Sequence, residues 1–146
     1  MLLIKEISSK DTVPLRSKIL RPGQDIKNCM YPSDDDKGAF HLGAFIETKQ
    51  IAIVSFYKEN HPDLNGKIQY RFRGMATLNE YRKKGHASSL LRFAFQKIKL
   101  MNGDQVWCNA RINAITLYEN MGMNVSSEEF DIPGIGPHLL MKIDLK

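Results

Sequence analysis

Cysteine is scarce: the 146 residues include two, Cys29 and Cys108, far apart and in no Cys-x-x-Cys or Cys/His pattern of zinc-ligand spacing. Free buried thiols are expected, and no metal is needed. Long apolar runs are absent as well. No window approaches the roughly 18 consecutive apolar residues of a membrane-spanning helix, so the expectation is a soluble chain without a membrane partner. The opening Met1-Leu2-Leu3-Ile4-Lys5-Glu6 lacks the charged leader and longer apolar stretch of an export signal. It reads as a first strand and points to the cytoplasm, where a disulfide is disfavoured. No internal repeat, low-complexity tract or linker divides the chain, so a single domain over residues 1–146 with one core is expected. The run Asp34-Asp35-Asp36 lacks the glycine and terminal glutamate of a calcium loop. It reads as a solvated turn, with attraction of a cationic acceptor as the alternative.

Acidic residues are nearly missing from one stretch. Between Arg71 and Lys99 the chain carries eight cations against the single acid Glu80, a local charge of +7, which leaves −2 for the rest of a chain of net +5. A basic patch on an otherwise slightly acidic protein suggests an anion site, for nucleic acid or for a phosphorylated cofactor.

The periodicity alternates between strand and helix. After the first strand near Leu2 to Ile7, Thr12 to Leu20 is a candidate helix stopped by Arg21-Pro22-Gly23. Ala39 to Glu47 and Ile51 to Lys58 form a predicted hairpin about Thr48-Lys49-Gln50. A strand follows with Ile68, Tyr70, Phe72, Gly74, Ala76 and Leu78 on one face, then a helix with the apolar stripe Ala87, Leu90, Leu91, Ala94, Ile98 and Met101. Val106 to Ala110 returns to strand, giving a right-handed crossover between parallel strands. A second helix is predicted near Ile112 to Met121, stopped by Gly122, and two strands near Asn124 to Asp131 and His138 to Leu145 close the chain. The fold class is mixed α/β (α+β), with a mostly antiparallel central sheet flanked by helices.

Arg82-Lys83-Lys84-Gly85-His86-Ala87-Ser88 stands between the alternating strand and the long helix. A helix N-terminus exposes unpaired amides and about half a positive charge, and glycine lets the backbone approach a ligand closely. The segment therefore has the makings of a diphosphate cradle; read alone, it is also a solvated basic turn. Gly74, in the middle of the preceding strand, marks a bulge or a close ligand. The backbone of Met75-Ala76-Thr77 could then pair with an extended ligand bearing amides, as a peptide adds to a sheet edge.

Arg82-x-x-Gly85-x-Ala87 resembles the R/Q-x-x-G-x-G/A turn of the GNAT superfamily of N-acetyltransferases. Asn113-Ala114-Ile115-Thr116-Leu117-Tyr118-Glu119-Asn120-Met121-Gly122-Met123 is similar to that family's A-x-x-x-Y-x-x-x-G-F segment. The match covers roughly Ala39 to the C-terminus, and the ending through Gly134-Ile135-Gly136-Pro137-His138 resembles the ElaA-like branch. The resemblance implies splayed parallel strands and acetyl-CoA as cosubstrate. Met75, Ala76 and Thr77 would bind pantetheine through their backbone, and Arg82, Lys83, Lys84, Gly85, His86, Ala87 and Ser88 would surround the diphosphate. Tyr118 would be the general acid toward the coenzyme thiolate. Two positions depart from the family pattern: Arg111 stands where many members have Asn, and Arg71 where some carry a glutamate base. His138 is the preferred substitute base, because imidazole titrates near neutrality and this residue follows a Gly/Pro-rich loop. Water, Glu128 or Glu129 are alternatives, and His41 and His61 are weaker candidates.

The implied activity is direct transfer of an acetyl group to a primary amine, on a small molecule or a peptide, through a ternary complex. Cys108 leaves an acetyl-enzyme route as a minor alternative. Two other classes remain: a nucleic-acid-binding module using the basic patch with Tyr70, Phe72 and Trp107, and a catalytically inactive acyl-CoA sensor. No nucleic-acid partner is expected, and the resemblance leaves room for a homodimer.

Overall fold

The computed structural model describes residues 1–145. Eight strands hydrogen-bond in the order β1-β2-β3-β4-β5-β8-β6, with β7 also on β8, and the sheet is mixed, mostly antiparallel and flanked by helices. The strands are β1 Leu2–Ile7, β2 Phe40–Ile46, β3 Lys49–Lys58, β4 Gln69–Thr77, β5 Gln105–Arg111, β6 Asn124–Val125, β7 Phe130–Ile132 and β8 Gly136–Asp144. The α-helices are α1 Val13–Leu15, α2 His86–Leu100 and α3 Ile115–Asn120. Two compact units share β4 and α2. The first is Met1–Lys58 with Phe72–Ala94, and the second is Glu59–Arg71 with the chain from Phe95 onward. Among the described residues no helix is long and apolar enough to cross a membrane.

In the first unit β3 is the central strand, buried continuously from Ile51 to Tyr57. The predicted hairpin is present, but its turn lies at Glu47-Thr48, one residue earlier than expected. Glu47 takes a left-handed φ of 56°, and the register shifts between Ala44 and Phe45. That bulge absorbs one residue and tightens the connection. Phe40, Phe56 and Phe72 form a ring contact series, with centroids 5.0 and 5.6 Å apart. The predicted face of β4 is confirmed by burial of Tyr70, Phe72, Ala76 and Leu78. The α2 stripe is confirmed by full burial of Leu90, Leu91, Ala94 and Ile98, each contributing roughly 1–3 kcal/mol by area transfer. Met101 lies just past the helix and is exposed.

The segment expected as one helix from Thr12 to Leu20 has three geometries: 3₁₀ over Ser9–Thr12, α over Val13–Leu15 and π over Arg16–Leu20. Pro14 at the start of α1 has no amide to donate, and the last turn closes by Arg21 N–H to Arg16 C=O at 2.9 Å.

In the second unit β5 pairs with β8 from Gln105↔Asp144 to Arg111↔His138, antiparallel throughout. The parallel pairing of β4 with β5 covers three residue pairs, Gln69↔Gln105 to Arg71↔Trp107. Gln69 and Gln105 are buried and bind the connecting loop: Gln69 accepts from the His61 amide at 2.8 Å, and Gln105 accepts from the Gly66 amide at 2.8 Å. The strand expected from Asn124 to Asp131 is broken in two. Ser127 Oγ accepts the Leu140 amide at 2.9 Å, so a side chain replaces a backbone carbonyl and the ladder is interrupted. The predicted helix from Ile112 begins as a 3₁₀ turn, and α3 runs only to Asn120 before Gly122 reverses the chain at φ 94°.

Candidate active site

In the first unit the chain leaves β4 at Thr77, makes a 3₁₀ turn at Asn79–Tyr81 and reaches α2 through Arg82-Lys83-Lys84-Gly85. Gly85 holds φ +84° and a Cβ built on it would meet nothing within 4 Å, so the helix start is open. Lys83, at φ 61°, also takes the left-handed conformation. The first amide to close the helix is that of Ser89, which donates to Gly85 C=O at 3.0 Å. Those of His86, Ala87 and Ser88 have no acceptor in the preceding turn, and they point out of the helix N-terminus. Arg82, Lys83 and Lys84 are exposed, and His86 Nε2 is buried without a hydrogen-bond partner. Such an arrangement fits an anion held mainly by amides and secondarily by cationic side chains. Met75, Ala76 and Thr77 lie on the last three positions of β4 in the same unit.

Behind β4 the first unit contains a polar cluster that sequence reasoning missed. Arg16 is fully buried and forms a bidentate ion pair with Asp34, at 2.6 and 3.0 Å. Asp34 also accepts from Tyr57 OH at 2.6 Å and the Tyr31 amide at 3.0 Å. Burial alone would raise the Asp34 pKa, but the hydrogen bonds from Arg16, Tyr57 and Tyr31 outweigh it and hold the carboxyl below its ordinary value. The expectation of a solvated turn is corrected at this residue, since Asp34 is buried, whereas Asp35 and Asp36 are exposed.

A directed chain of donors continues from Arg16. Its Nη2–H donates to Ser55 Oγ at 2.8 Å, and His41 Nε2–H donates to the Asp34 carbonyl at 2.9 Å. A carbonyl only accepts, so Nε2 carries a proton, and Nδ1 is engaged with the Ser55 hydroxyl at 2.7 Å. With both ring nitrogens engaged, His41 is a structural residue. His61 is another: its Nδ1 accepts the Asp63 amide at 3.0 Å, and its ring meets the edge of Trp107.

The second unit holds the other candidates. Tyr118 is buried on α3, and its pKa is raised by burial and by Cys108, with Arg111 opposing. The phenol stays protonated at neutral pH. Cys108 is buried too, and burial pushes its thiol well up despite Arg71. Such a thiol is a poor nucleophile. Cys29 is the other free buried cysteine. His138 lies on β8 opposite Arg111, 4% exposed, with its ring against Phe130. Its Nδ1–H donates to the Gly136 carbonyl at 2.8 Å, so Nε2 is the ring nitrogen not held by that bond. Arg71 approaches Glu59 at 3.6 Å and covers Trp107, so a cation and not a carboxylate occupies that strand position. Glu128 and Glu129 are exposed on the segment between β6 and β7.

The chain is 43% identical over 141 residues to an uncharacterized N-acetyltransferase, YitI, of Bacillus subtilis (strain 168), covering 97% of this chain and 95% of that protein. Among solved structures it is similar to the ribosomal-protein-S18-alanine N-acetyltransferase of Escherichia coli, with TM-score 0.77, 15% identity and coverage of 99% and 94%. It is also similar to Escherichia coli ElaA, with TM-score 0.75, 14% identity and coverage of 97% and 99%. At these identities the two structures speak for the fold. Residues 6–123 match the acetyltransferase (GNAT) family, and with the relative above this establishes that the chain belongs to the GNAT family of acetyltransferases, enzymes that use acetyl-CoA.

Proposed function

We propose that this chain moves the acetyl group of acetyl-CoA to a primary amine by direct attack within a ternary complex. The observation that carries the reading is the open start of α2. Gly85 presents no side chain, the amides of His86, Ala87 and Ser88 are uncapped, and three cations precede them. In this scheme those amides hold the coenzyme diphosphate, and the Met75–Thr77 backbone pairs with pantetheine. The Met75 amide is assigned to the carbonyl oxygen as it gains charge.

The acceptor nitrogen bonds to the thioester carbonyl carbon, and the carbon–sulfur bond breaks as the tetrahedral intermediate collapses. His138 Nε2 is assigned the proton that leaves the amine. Tyr118 donates a hydrogen bond to the departing thiolate. Full proton transfer from an unshifted phenol near 10 to a thiolate near 8.5 is already uphill by about 2 kcal/mol, and burial of Tyr118 raises that cost further, so stabilisation by the hydrogen bond is the larger part of that role. The depressed acidity of the Cys108 thiol supports direct attack over an acetyl-enzyme.

The test begins with coenzyme binding. At one hundred times its Kd, acetyl-CoA stabilises the folded chain by about 2.7 kcal/mol, a rise of roughly 5–10 °C in Tm. Gly85→Glu, which places a carboxylate at a left-handed position in the cradle, removes that rise while the double change Lys83→Ala and Lys84→Ala only reduces it. An unchanged rise in Gly85→Glu refutes the cradle.

A further inference from the structure

Three guanidinium groups surround one aromatic ring in the first unit. Arg16 Cζ stands 3.9 Å from the centroid of Tyr31, Arg73 Cζ 4.3 Å and Arg21 Cζ 5.7 Å. These three residues come from the π turn, from β4 and from the end of the helical segment. Converging like charges repel; the Tyr31 ring offsets part of that repulsion, and an anion would offset the rest. Asp34 balances Arg16, and its four hydrogen bonds leave little capacity for more. Among the described residues Arg21 and Arg73 have no carboxylate partner. Both are half-buried, which costs more than leaving a lone arginine in water. The Nε atoms of Arg16 and Arg21 are buried without any hydrogen-bond partner.

A glycine in the left-handed region lies against this cluster. Gly74 holds φ +67°, and a Cβ placed on it would touch Tyr31 Cε2 at 3.4 Å and Arg16 Nε at 3.6 Å. The glycine therefore leaves a methyl-sized space over the ring edge and the unpartnered nitrogen. Arg73 and Gly74 immediately precede Met75, whose amide is assigned to the reacting carbonyl. The two residues from Arg73 to Met75 span at most about 7 Å.

We propose that Tyr31, Arg21 and Arg73 form the acceptor subsite, and that it takes a carboxylate: the substrate is a small amine whose carboxylate lies only a few bonds from its nitrogen, as in an amino acid. The inference rests on the acetyl-transfer reading above. Arg73 and Arg21 bind the carboxylate through charge-assisted hydrogen bonds, and the short strand distance to Met75 sets the amine at the thioester. Arg16 holds the Tyr31 ring and is itself held by Asp34.

The test measures coenzyme A release for common amino acids, each against its own carboxamide, which keeps the amine and removes the charge. Wild-type kcat/KM is expected to favour the acid at least ten-fold for the best acceptor. Arg73→Gln and Arg21→Gln each lower kcat/KM for that acid by about ten- to hundred-fold, the loss typical of a charged hydrogen-bond partner, with little change for the amide and an unchanged KM for acetyl-CoA. Arg21 is the second variant because it lies off the sheet and its loss does not threaten β4. Equal use of acid and amide, or transfer confined to uncharged amines, overturns the subsite while leaving acetyl transfer intact. A raised KM for acetyl-CoA in either variant also overturns it, because the anion then belongs to the coenzyme. Acetyl-CoA binding without release of coenzyme A to any amine refutes the transfer reading and the subsite with it.

Discussion

Replacing Asp34 with alanine removes an acceptor that serves two Arg16 nitrogens, Tyr57 OH and the Tyr31 amide. Arg16 is fully buried, so its charge is left without a counterion. Breaking a buried pair from one side costs about 3–5 kcal/mol. For a chain of this length the unfolding entropy is about 0.3 kcal/mol/K, which converts the loss to roughly 10–17 °C in Tm. Thermal unfolding followed by circular dichroism measures it. Because the folded Asp34 pKa is lowered, its contribution is complete above the ordinary carboxylate pKa of about 3.9 and is lost as pH falls through the lower folded value. The gap between wild type and variant therefore closes in acid. The double change Arg16→Met with Asp34→Leu is expected to recover much of the loss, since it removes both charges. A loss under about 1 kcal/mol at neutral pH for Asp34→Ala would refute the assignment of Arg16 as a buried, singly balanced cation.

Three further outcomes follow from the proposed roles. Tyr118→Phe is expected to retain coenzyme binding and the fold while lowering kcat by ten-fold or more; unchanged turnover would make Tyr118 a packing residue. His138→Gln should lower transfer more at neutral than at high pH, because an alkylamine with a pKa near 10 is increasingly free without help as pH rises. A uniform loss across pH would indicate positioning. Cys108→Ala is expected to keep at least half of wild-type turnover, and the appearance of an acetylated thiol in stopped reactions would contradict direct attack.

What the sequence revealed was local. The alternation at Tyr70, Phe72 and Ala76 and the spacing of Leu90, Leu91, Ala94 and Ile98 depend on period alone, and both faces are buried as read. Gly85 and Gly122 announced their turns because a left-handed φ favours glycine. The Arg16–Asp34 pair spans 18 residues, and the Gln105–Gly66 bond spans 39, so neither has a local signature. Asp34 was misread for that reason: a run of three acids looks solvated until a buried arginine is known to face one of them. The break near Ser127 was hidden because a serine that replaces a ladder carbonyl is indistinguishable in sequence from one that points to solvent. The Tyr31 cluster escaped for a further reason. Its cations come from residues 16, 21 and 73, and only one of them lies in the basic stretch between Arg71 and Lys99.

The central claim is that this chain transfers acetyl groups from acetyl-CoA to amines. The most direct measurement is a mass-spectrometric analysis of an amine panel incubated with acetyl-CoA and either wild-type protein or Gly85→Glu. The account predicts an amine heavier by one acetyl group, with stoichiometric coenzyme A, for wild type and none above background for the variant. Coenzyme A binding with no acetylated amine, or equal product from both proteins, would contradict it.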